Sequence, residues 1–123
     1  QKTAYEIRNC DWSSDVCSSD LTGELTFRNA LLRGNSLYAQ AERMTTGGSV
    51  RRDGLRAIVR TYTKAYEWTL TPGQTLSDAL RKTPTSFFLP LTIQGESICY
   101  HPDGKALLTT SEKVPTPLME IPH

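Results

Sequence analysis

Two segments of this chain, about fifty residues apart, repeat one local pattern, and that repeat constrains the fold more than any other feature. Residues 49–54, SVRRDG, lead through Leu55 and Arg56 into AIVRT at 57–61. Residues 99–104, CYHPDG, lead through Lys105 into ALLTT at 106–110. Each copy reads as strand, Asp-Gly turn, strand. The aspartate braces the turn with its side chain, and the glycine supplies the positive φ that a tight reversal needs. One Asp-Gly hairpin is commonplace. Two at this spacing, each leading to a further apolar stretch, predict sheet units repeated as in a β-propeller.

The segments around the repeat also favour short strands. Residues 24–32 place Leu25, Phe27 and Leu31 toward an apolar face, while 36–43 read equally as a strand end or a helical turn. Residues 56–62, RAIVRTY, are rich in β-branched and aromatic side chains. Their alternation sets Ala57, Val59 and Thr61 against Ile58, Arg60 and Tyr62. In residues 66–70, Tyr66, Trp68 and Leu70 share one side, with Glu67 and Thr69 on the other. One short helix is predicted after Thr75, an N-cap with Asp78 in the first turn and Leu76, Ala79 and Leu80 as its apolar stripe. Residues 86–91 read as a strand in which Pro90 is confined to an edge or an end. The expected fold class is mainly β: about two antiparallel four-stranded blades and one short helix.

Residues 1–21 stand apart. Asp11 to Leu21, DWSSDVCSSDL, resembles the translation of an adapter oligonucleotide used to prepare sequencing libraries. Gln1 to Ile7, QKTAYEI, resembles the flow-cell end of the same adapter, in the same frame and at the spacing of a sample index. The expectation is that 1–21 is a translated adapter without a native fold, and that 22–123 is the native part. Cys10, Cys17 and Trp12 then carry no chemistry. Without Lys2 and Arg8, 12 of the 14 basic residues remain; without Glu6, Asp11, Asp15 and Asp20, 9 of the 13 acidic ones remain. A net charge near +3 with both signs interspersed, and no basic stripe, argues against nucleic acid as a partner. No apolar run reaches the roughly 20 residues that span a bilayer.

A family resemblance rests on TGGSVRRDGLRAIVRTYTKAYEW (46–68) and PLTIQGESICYHPDGKALLTTSE (90–112). These runs resemble bacterial six-bladed β-propellers of the TolB-like and WD-repeat-like type, in particular hypothetical exported proteins. The likeness extends from Thr46 to about Pro122 and is most specific at RTYT (60–63), YEW (66–68) and QGE (94–96). Val50-Arg51-Arg52 departs from the family pattern, which has Ser-Pro before Asp-Gly. The resemblance implies about two C-terminal blades of a propeller whose other blades are its partners, an extracytoplasmic location, and no established activity.

Catalytic patterns are sparse, and the sequence offers no cofactor motif. His101 and His123 are the only histidines; His101 sits in the turn and reads as a surface residue. No HxH, HExxH or CxxC spacing is present, so no metal site is expected. Ser97 lacks the G-x-S-x-G elbow of a hydrolase nucleophile. Asp53 and Asp103 read as turn residues, because single aspartates do not supply the six to eight oxygens of calcium. Cys99 reads as a small buried hydrophobe, and Trp68 as core between blades. The ligand-binding candidates are Glu96, Arg60 and Tyr62. Glu96 enters a strand that would line a propeller channel, where a carboxylate binds a cation or a hydroxyl; the structural alternative pairs it with Arg60 to lock two blades. The expected function is that of a non-catalytic binding or scaffold protein; the alternative is framework for a phytase-like propeller esterase.

Overall fold

The structure is a computed structural model, and it describes residues 25, 27, 39–40, 42–90, 92, 94–112 and 114–123. Residues 1–24, including the adapter-like stretch, lie outside the described residues, as do all but Leu25 and Phe27 of the strand expected at 24–32 and half of 36–43.

Among the described residues, seven strands form two antiparallel sheets. The first sheet is a meander of β1 (Gly47–Val50), β2 (Arg56–Arg60), β3 (Lys64–Thr69) and β4 (Thr85–Phe88), in that order. The second orders β5 (Gly95–Tyr100), β6 (Ala106–Ser111) and β7 (Leu118–Pro122) in the same way. The mainly β architecture is as expected, but the second sheet has three strands among the described residues where four were expected.

The sequence repeat is a repeat of structure. Val50 pairs with Ala57 across the first turn, and Tyr100 with Leu107 across the second. The Arg51 amide donates to Arg56 O at 2.8 Å, and the His101 amide to Ala106 O at 2.9 Å. Asp53 Oδ1 accepts the Leu55 amide, and Asp103 Oδ1 the Lys105 amide, each at 2.9 Å. Gly54 and Gly104 stand at φ of 73° and 72°, a conformation in which a Cβ is strained. Even the flanking contact recurs: Arg51 holds Asp53 at 2.6 Å and His101 holds Asp103 at 2.7 Å.

Alternation along β2 and β3 gives the first sheet two buried faces. Ala57, Tyr66, Trp68 and Leu70 point one way and are covered by Phe27, Leu25 and the helix. The rings of Phe27 and Tyr66 lie 4.5 Å apart. Ile58 and Ala65 point the other way, onto Ile98 and Leu107 of the second sheet, with Leu89 closing the cluster. Burying Ile58 and Leu107 contributes roughly 1.5–3 kcal/mol each.

The helix α1 (Leu76–Leu80) begins where Thr75 Oγ1 accepts the Asp78 amide at 3.1 Å, as the capping pattern predicts. It buries Ala79 against the first sheet, and the Trp68 indole N–H donates to Lys82 O just beyond it at 2.9 Å. Pro90 lies past the end of β4, where no ladder donor is needed. The edge at β7 is similarly blunted. The His123 amide points inward to Lys105 O at 3.0 Å, so neighbouring Pro122 faces the open edge with no N–H to offer.

Candidate functional site

Arg60, at the end of β2, passes between the sheets and is completely buried. Its Nη1 donates to Ser97 O at 3.0 Å and to the Thr109 hydroxyl. Its Nε donates to Thr61 O at 3.1 Å, and Nη2 reaches Tyr62 O at 3.5 Å. Burial pulls the guanidinium below its ordinary pKa, and the charge of Glu96 partly restores it. The approach requires Gly95, since a methyl there would land on the guanidinium.

Glu96 is the extra residue of a β-bulge: Gly95 pairs with Ser111 and Ser97 with Thr110, leaving Glu96 unpaired between them. Bulges re-aim side chains and are over-represented beside functional sites. Glu96 is half-buried, as is Tyr62 in the β2–β3 hairpin. The Thr46 hydroxyl donates to Gly95 O at 2.6 Å and ties the entries of β1 and β5 together. The three sequence-predicted candidates therefore gather at one end of the sheets. The Glu96–Arg60 ion pair, the structural alternative for these residues, does not form: Arg60 bonds Thr61 O, Tyr62 O, Ser97 O and the Thr109 hydroxyl. Arg60 locks the sheets through a carbonyl and a hydroxyl of the second sheet, because its position along β2 sets it against Ser97 and Thr109.

A second polar cluster lies toward the Asp-Gly turns, and the sequence reading missed it. Glu67, on the face opposite Tyr66 and Trp68, is buried against the second sheet rather than solvated. Its Oε1 accepts the Tyr100 hydroxyl at 2.7 Å and His123 Nε2 at 2.9 Å, and its Oε2 accepts Arg56 Nη1 at 3.0 Å. The His123 ring centroid lies 5.5 Å from that of Phe87. Burial, then the Glu67 carboxylate, pushes the Tyr100 hydroxyl far above its ordinary pKa. One signal was available: a carboxylate between Tyr66 and Trp68 is conspicuous in a strand whose neighbours are all suited to burial.

Cys99 corrects an expectation. It is exposed, because Ile98 and Tyr100 take the face toward the first sheet and alternation turns Cys99 away. Trp68 is buried core, but on the face covered by Phe27 and α1 rather than between the two sheets, because alternation along β3 turns it away from the Ile58 side. His101, Asp53 and Asp103 occupy their turns as expected. Among the described residues, no group of three His, Cys, Asp or Glu side chains is placed to hold a metal, and no helix is long and apolar enough to cross a membrane.

Comparison of the chain with family models, with curated proteins and with solved structures finds no match.

Proposed function

We propose that the chain supplies two adjacent blades of a TolB-like β-propeller that binds a ligand or acts as a scaffold, and that residues 22–123 are its native part. The observation that carries this reading is the repeat: two meanders share turn geometry and register at a fixed offset, with β1 and β5 entering side by side. Stacked meanders with their first strands adjacent are the unit from which propellers are built. In that arrangement Glu96, carried on the bulge, and Tyr62 face the channel mouth and contact the ligand, while Arg60 braces them from behind.

Two experiments test this reading. The first is amplification and sequencing of the genomic locus across the Thr22 codon, then structure determination of the encoded protein. A ring with β1 and β5 innermost supports the proposal; a structure without further sheets stacked on these two overturns it. Recovery of residues 1–21 with different synonymous codons would remove the adapter reading. The second is a thermal-shift screen of that protein with cations and polyhydroxylated small molecules. Stabilisation lost in Glu96→Gln, with the unliganded melting point kept, supports Glu96 as a ligand contact. Stabilisation indifferent to Glu96 assigns the binding elsewhere.

A further inference from the structure

We infer that Glu42 anchors a site for a unipositive cation, on the opposite face of the first sheet from Arg60. Glu42 is only 4% exposed. One carboxylate oxygen accepts the Thr63 hydroxyl, and the other has no hydrogen-bond partner. A buried carboxylate oxygen left bare is costly enough that native proteins complete it with a donor or a cation.

Two further buried oxygens are bare, the hydroxyls of Thr45 and Thr92. Connectivity brings all three to the same end of the fold. Thr63 lies in the β2–β3 hairpin, and its carbonyl accepts the Leu89 amide at 2.8 Å, with Thr92 close behind in sequence. Thr45 directly precedes Thr46, whose amide donates to Arg60 O at 3.0 Å and whose hydroxyl is turned toward Gly95 of the second sheet.

The chemistry of the group is narrow. It consists of carboxylate and hydroxyl oxygens, which suit a hard cation or a protonated amine. It carries one formal negative charge, so a unipositive partner leaves the buried site neutral. Arg60 is not that partner: it points to the opposite face, its donors are engaged there, and the carboxylate that acts on it is Glu96. Glu42 acts instead on the hydroxyl of Tyr66, adding to the effect of burial in raising it. Asp53 and Asp103 differ in kind, being exposed and already bonded to backbone amides.

The test compares thermal unfolding of the full chain, followed by circular dichroism, in sodium, potassium, methylammonium and choline chloride at equal ionic strength. Choline, a bulky quaternary cation with no N–H to donate, serves as the reference. At least one of the other three is expected to raise the midpoint by about 5 °C near saturation. A larger rise with sodium or potassium identifies a metal ion as the occupant, and a larger rise with methylammonium identifies an amine. Glu42→Gln is expected to erase the difference and Thr45→Val to weaken it, while Glu120→Gln, on the exposed β7, leaves it intact. Equal midpoints in all four salts overturn the inference, as does a cation-specific rise that survives Glu42→Gln. Should Glu42→Gln fail to fold, an undiminished rise in Thr45→Val overturns it.

Discussion

Glu67 on β3 and Tyr100 on β5 join the two sheets directly: the phenol donates to Glu67 Oε1 at 2.7 Å. Arg56 and His123 complete the carboxylate from either side, at 3.0 and 2.9 Å. A buried carboxylate carrying several donors is strongly asymmetric in its energetics, since removing it strands its partners.

Glu67→Gln is therefore expected to destabilise the fold by about 2 kcal/mol, and Tyr100→Phe by about 1 kcal/mol. The half-exposed Arg56 re-solvates and moderates the first figure. Urea denaturation checks both values. The double variant should fall short of the sum, because the two groups share one hydrogen bond.

Two buried tyrosines set an alkaline limit. Tyr100 and Tyr66 both have folded pKa values raised above the ordinary 10.0. With the folded value above the unfolded one, their contribution is complete below about pH 10 and is lost as pH rises beyond it. Phenolate absorbance across an alkaline titration should show two tyrosines ionising only with unfolding. Early, reversible ionisation of all five tyrosines would contradict this.

Arg60→Ala should cost about 3 kcal/mol or more, because it opens a cavity and strands Ser97 O and the Thr109 hydroxyl. Arg60→Met keeps much of the volume and removes the buried charge, so its cost should be smaller. Equal denaturation midpoints for the two variants would argue against this account.

Gly95→Ala and Gly54→Ala separate two uses of glycine. A methyl at Gly95 meets the Arg60 guanidinium, whereas one at Gly54 meets open space and is opposed only by φ of 73°. The Gly54 change should cost about 1 kcal/mol, and the Gly95 change clearly more. Their unfolding midpoints decide the order.

Cys99 should react with a maleimide in the folded chain at nearly the rate seen in denaturant, read by mass spectrometry of its peptide. Strong native protection would contradict its exposed position on β5.

Much of the fold was legible in residue order because the determinants are local. An aspartate that accepts an amide two residues on, a glycine at positive φ and a threonine cap each act within a few residues, so both turns and α1 fall where the pattern puts them. Alternation assigned Ala57 and Ile58, and Tyr66 and Glu67, to opposite faces. It did not say which face met solvent. It places Glu67 only opposite Tyr66 and Trp68, with nothing to say what covers that side, and Cys99 reads as buried because its strand is apolar, whereas it is exposed.

What decides it is the second sheet. Stacked on the Ile58 face, it covers Glu67 and leaves Cys99 on its own outer side. It also brings Ser97 and Thr109 to Arg60, and Tyr100 and His123 to Glu67, across long stretches of chain that no local pattern connects. Turns, strand faces and the helix start were written into the sequence, since short-range sterics and hydrogen bonding suffice to set them. The polar ties between sheets were decided by packing alone, because a partner distant in sequence exists for a side chain only once the sheets have come together.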